Sequence, residues 1–141
     1  MTDIKNPEGY TDIVPYIAIN NISGGEKAAR VFRPLVYICS PYRGDVESNT
    51  KKTREFCRYA LDKGQIPLAP HLMFPQFMAD EDTEERELAL FMDIVLMGKC
   101  QEVWVLAERI SDGMQAEIDR ANKRRQKVRY FNGRFEEVFP Q

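Results

Sequence analysis

Four short stretches carry side chains that do chemistry when a fold gathers them into one cleft. They are the turn Ser40-Pro41-Tyr42-Arg43-Gly44-Asp45, the single histidine His71, Asp93 between Met92 and Ile94, and Ser111-Asp112-Gly113-Met114 with Glu117 six residues after the serine. A serine that opens a helix caps it, and the free N–H groups and hydroxyl there also form an anion site. Asp112 competes with a bound anion, or points outward and favours the helix dipole. Arg43, set in a tight turn, suits an oxyanion contact, with a surface cation as the plain alternative. A lone histidine is more often structural than catalytic, but His71 falls in a loop at a strand end. Asp93 interrupts an apolar helix face that offers few polar neighbours.

Glu117 is tested by helix geometry. At about 100° per residue, Met114, Ile118 and Ala121 define an inward stripe, and Glu117 lies roughly 70° from its centre. Asp119, able to pair with Lys123, is a solvent-side acid. A carboxylate bordering the core one turn into a helix requires a partner or a purpose. An ordinary salt bridge to Arg120 or Arg124 is the competing explanation.

The elements that must position these residues follow from pattern. "LVYICS" is a β-rich apolar run stopped by Pro41, hence a buried strand. "VESNTKKTREFCRYALDKG" repeats Val46, Thr53, Phe56, Cys57 and Ala60 at helical spacing and stops at Gly64. "IPLAP" is a second strand and "HLMFPQFMADED" an irregular loop. Thr83 then caps a helix opening on Glu84, Glu85 and Glu87 and running through Leu88, Phe91, Ile94 and Val95 to Gly98. "EVWVL" is the third strand, Ser111 begins the third helix, and "VRYF" is a fourth strand. Strands alternating with helices imply a Rossmann-like three-layer α/β sandwich with a parallel sheet of four or five strands over residues 35–141. In such sheets ligands bind beyond the carboxyl ends of the strands, where three of these stretches fall. Residues 1–34, with Pro7, Gly9, Pro15 and Gly24-Gly25, form an N-terminal arm with short helices.

Composition narrows the partner. The 141 residues suit one domain with a sizeable core. Twenty basic and 22 acidic side chains nearly cancel, so no bulk field argues for nucleic acid or a membrane, and a small molecule is the default. Cys39, Cys57 and Cys100 are odd in number and lack a CxxC pair, so buried free thiols in a reducing cytosol are expected rather than disulfides or a metal site. The start lacks a signal peptide's build, and "LALFMDIVLMG" is too short to span a bilayer. The expected location is cytoplasmic.

At these residues the sequence resembles the nucleoside 2-deoxyribosyltransferase superfamily, including the nucleoside 5'-monophosphate N-glycosidases, and more closely a small bacterial and phage family related to it. The close match covers roughly residues 34–131, through "VYICSPYRGD", "IPLAPHLMFPQF", "ERELALFMDIVLMGKC" and "EVWVLAERISDGMQAEI". The resemblance implies that Glu117 is the nucleophile, in the spacing Ser-x-Gly-x-x-x-Glu of the nucleotide-cleaving members. It implies that Ser111 and Gly113 contact phosphate, and that the first-strand loop, like a Gly-Ser-Ile-Arg-Gly turn, gives Ser40 and Arg43 to phosphate or sugar. Tyr42, Gly44 and Met114 join them as substrate-contacting residues. His71 matches a histidine near the base, and Asp93 matches an aspartate assisting base departure. Cys39 and Pro41 stand where that loop has its glycine and the residue after the serine, and alignment at Asp93 needs a gap.

The implied activity is cleavage of the base-sugar bond of a nucleoside 5'-monophosphate through a covalent glutamyl-sugar intermediate, by hydrolysis or base exchange, with no metal or cofactor. The superfamily's oligomers, and apolar Tyr10, Tyr16 and Ile17 in the arm, point to a homodimer or larger homo-oligomer. Two alternatives stand beside this: a non-catalytic nucleotide-binding module, and an interaction protein in which the same residues are caps and salt bridges. Release of free base separates the first two readings, and ligand-induced thermal stabilisation separates the last two.

Overall fold

The computed structural model describes residues 32–140. The expected N-terminal arm, with Tyr10, Tyr16 and Ile17, falls outside the described residues apart from its last three positions. From Leu35 the chain alternates as the pattern requires: β1 (Leu35–Cys39), α1 (Val46–Asp62), β2 (Ile66–Leu68), α2 (Thr83–Met97), β3 (Glu102–Leu106), α3 (Asp112–Lys123), β4 (Lys127–Phe131) and β5 (Glu137–Val138). The sheet order is β2-β1-β3-β4-β5, with the first four strands parallel and β5 antiparallel to β4. This is a Rossmann-like α/β sandwich, and β5 is the strand that periodicity left unmarked.

The central strands β1 and β3 are buried on both faces, which is why they read as unbroken apolar runs rather than alternating ones. Alternation along β1 divides the core in two. Val36 and Ile38 pack with Phe56 and Ala60 of α1, Trp104, Leu106 and Phe131. Tyr37 and Cys39 face the other way, to Met97 of α2 and Met114, Ile118 and Ala121 of α3. Helices therefore cover both faces, one on the first and two on the second. Arg129 braces the far edge by joining Glu102 of β3 to Glu137 of β5.

Local chemistry sets the helix ends. Asp45 caps α1 by accepting from the Ser48 amide, and Gly64 ends it at φ +81°, a left-handed conformation that suits glycine. Ser111 caps α3 by accepting from the Met114 amide. For α2 the cap is Asp82, not Thr83: its carboxylate accepts from the Glu84 and Glu85 amides, and a charged acceptor satisfies the first turn better than the hydroxyl one residue later. The loop before α2 contains two single 3-10 turns, Pro70–Leu72 and Phe74–Gln76.

Of the apolar residues expected along α2, Ile94 packs against the core and the other three turn outward. Leu88, Phe91 and Val95 are 50%, 64% and 42% exposed, while Asp93 and Met97 are the helix's buried residues. A helix with apolar residues nearly all round carries no directional signal, so the inward side is set by packing against α3 and the sheet.

Candidate active site

The chain reverses its lateral direction between β1 and β3, and a cleft opens beyond their carboxyl ends, where open α/β sheets bind ligands. It encloses about 380 Å³. The cleft brings together Ser40, Tyr42, Arg43, His71, Asp93, Ser111, Gly113, Met114 and Glu117. Gly44 does not line it. At φ +100° Gly44 serves the turn before α1, and a Cβ there would meet the Arg109 guanidinium at 3.5 Å.

Glu117 stands at the cleft floor, only 2% exposed, without the salt bridge to Arg120 or Arg124 that would make it a structural acid. Its partners come from β1 instead. The Tyr37 hydroxyl donates to Oε2, and the Cys39 thiol donates to Oε1 at 3.4 Å. Burial pushes the carboxyl up to about 7, and the Tyr37 and Cys39 donors pull against that rise. Burial and the Glu117 charge in turn push the phenol and the thiol well above their ordinary ranges, so both remain protonated donors.

Asp93 is 3% exposed and faces the same cleft from α2. Its Oδ1 is buried without a hydrogen-bond partner among the described residues. Burial first, and the Glu117 charge second, raise it to about 8. The order matters: Glu117 ionises first, and its charge then holds the proton on Asp93. Between pH values of about 7 and about 8 the cleft thus holds an ionised Glu117 and a protonated Asp93, their titrations set apart by environment.

The other site residues are placed less directly. The His71 ring stacks on Tyr42, with centroids 5.6 Å apart and planes at 23°, and no hydrogen bond joins it to Asp93 or Glu117. Burial lowers its pKa against the pull of Asp80, so it is neutral at pH 7. Ser40 is fully buried and its hydroxyl lies 2.8 Å from Thr53, which donates its own proton to the Asn49 carbonyl. Ser40 is therefore the donor to Thr53, and its only proton is committed. Arg43 pairs through Nε with Asp80 at 3.2 Å. Ser111, Asp112 and Gly113 present the start of α3 to the cleft. Among the described residues no group of three or more His, Cys, Asp or Glu is arranged to hold a metal ion.

Sequence reasoning missed Tyr37, Cys39 and Asp80. Tyr37 and Cys39 share one face of a strand that reads simply as core. The signal available was their spacing of two, once Glu117 is placed against that same face. Asp80 sits in the irregular loop, where no periodicity marks a side chain.

The family model of a domain of unknown function, DUF7768, matches residues 34–131. No curated protein matches the chain. Among solved structures, a 2-deoxyribosyltransferase from the psychrotolerant bacterium Bacillus psychrosaccharolyticus is similar in fold, with a TM-score of 0.55 and 16% identity over 75% of this chain and 77% of that one.

Proposed function

The chain belongs to the DUF7768 family, and from the chemistry of its cleft we propose that it cleaves the base-sugar bond of a nucleoside 5'-monophosphate through a covalent intermediate on Glu117. The observation that carries the reading is the meeting in one cleft of a buried Glu117, gripped by Tyr37 and Cys39, and a buried Asp93 whose Oδ1 has no hydrogen-bond partner among the described residues, with burial raising both carboxyls. Glu117 attacks the anomeric carbon as the glycosidic bond breaks, and the bond's electron pair leaves with the base. Asp93 gives that base its proton. Water, or a second base, then takes the sugar from Glu117. The fold shared with a 2-deoxyribosyltransferase supports chemistry of this kind. Incubation with a panel of nucleoside monophosphates, scored for free base, tests it, and no release from any of them removes the proposal.

The 5'-phosphate is supported by the start of α3, where Ser111 and the Gly113 amide meet the cleft, with Arg43 and Arg86 on its other walls. A second reading, a nucleoside with a free 5'-hydroxyl, is favoured by charge. Asp80, Glu85, Glu87, Asp93, Asp112 and Glu117 line the cleft against those two arginines, and Arg43 already pairs with Asp80. If the phosphate is recognised, a nucleoside monophosphate is cleaved far faster than its nucleoside. Arg43→Ala then weakens that preference by about 1.5–3 kcal/mol, the range for a charge-assisted contact. Equal kcat/KM on the two substrates favours the free hydroxyl.

The free thiols Cys39, Cys57 and Cys100 suit a reducing cytosol, and no helix among the described residues is long and apolar enough to cross a membrane. Assembly into at least a homodimer is supported by Leu88, Phe91 and Val95 on the outer side of α2. Light scattering at working concentration is expected to give a multiple of the chain mass, and a strictly monomeric mass counts against it.

A further inference from the structure

Tyr37 and Cys39 lie two residues apart on β1, so both side chains meet α3, and both end on one carboxylate. The two grips are unequal. Phenolic O–H to carboxylate is a strong, charge-assisted bond, whereas a thiol is a weak donor. The single thiol proton has a second acceptor in reach, the Met114 carbonyl at 3.8 Å, but Glu117 Oε1 is nearer at 3.4 Å and charged. Cys39 is fully buried, so water does not substitute for it.

We propose that Cys39 is a positioning residue for Glu117, fixing the carboxylate's rotation with a donor weak enough to leave Oε1 as the attacking oxygen. The inference rests on Glu117 being the nucleophile. The alternatives at position 39 explain why the donor's strength matters. An apolar side chain leaves Oε1 buried and unpartnered, which favours its protonated, non-nucleophilic form. A hydroxyl within bonding distance stabilises the charge further and blunts attack. Among the described residues, the titratable groups facing Glu117 are Tyr37 and Cys39 from β1 and Asp93 from α2, with Tyr130 of β4 beside Cys39.

The test titrates Glu117 directly in the full chain labelled with carbon-13 at the glutamate carboxyls, its resonance identified by its loss in Glu117→Gln. Cys39→Ala is expected to raise the midpoint by about one pH unit, and Cys39→Ser to leave it at or below the wild-type value. The acidic limb of kcat/KM should move in the same order with KM little changed, and Cys39→Ala should lower kcat about fivefold at pH 7, from the smaller ionised fraction. A role in packing alone lowers the unfolding temperature without moving either titration. Folded Cys39→Ala protein with an unshifted Glu117 midpoint overturns the proposal. A shifted midpoint in protein that releases no base, even as wild type, instead overturns the glycosidase reading and leaves the Cys39–Glu117 contact standing.

Discussion

Glu117→Gln is expected to lower base release by about 10⁴-fold or more while making the protein more stable at pH 8. The first effect follows because an amide forms no glycosyl ester, and loss of a sole nucleophile removes the covalent route. The second follows from burial. In the folded chain Glu117 titrates at about 7, above its ordinary 4.5. Between those values the folded protein holds a proton that the unfolded chain has lost, so stability falls as pH rises through that window. Asp93 adds to the same trend between 3.8 and about 8. The substituted amide carries no charge to desolvate, so the variant gains up to on the order of 3 kcal/mol at pH 8, and the advantage vanishes below pH 4. Denaturant unfolding at pH 4 and pH 8, beside a free-base assay, reads both effects. Near-normal base release would sink the nucleophile assignment. An unchanged stability difference between the two pH values would show that Glu117 is not the buried charge described.

That a buried carboxylate costs stability also explains how Glu117 is legible in the sequence. Met114, Ile118 and Ala121 mark an inward stripe, and a glutamate at its border has no reason to be there unless something on the sheet receives it. Glu117 proved more buried than its angle from the stripe suggested, because its partners lie on β1 itself, in Tyr37 and Cys39. The order of elements was equally legible: β1 and β3 are short β-branched runs between turn residues, and Gly64 and Ser111 mark helix ends. What could not be read was orientation wherever the pattern is uniform. In α2, Leu88, Leu90, Phe91, Ile94 and Val95 leave no polar side to identify, so its outward face was indistinguishable from its inward one. Ser40 illustrates a second limit. Its position at a strand end suggested a ligand, but the direction of its hydroxyl depends on Thr53, a helix residue whose nearness only the fold supplies.

Asp93→Asn gives the other large effect, and its size should depend on the leaving group. With a natural base, departure as an anion is unfavourable, so loss of the acid costs about 10²–10⁴-fold in kcat. A sugar phosphate carrying 4-nitrophenolate leaves without a proton, and on that substrate the variant should retain most of the wild-type rate. The pH profile carries the same information. With a natural base the wild-type rate should be bell-shaped, rising as Glu117 ionises near 7 and falling as Asp93 loses its proton near 8. With the nitrophenyl substrate only the rising limb is required, since Asp93 no longer acts. A packing role for Asp93 predicts a different pattern: asparagine preserves its volume, so both substrates should be cleaved almost normally. An electrostatic role, in which a protonated Asp93 merely spares Glu117 a neighbouring charge, is also preserved by the neutral amide. Only a proton donor makes the loss severe for one leaving group and slight for the other, and an equal loss on both would remove Asp93 from the chemistry.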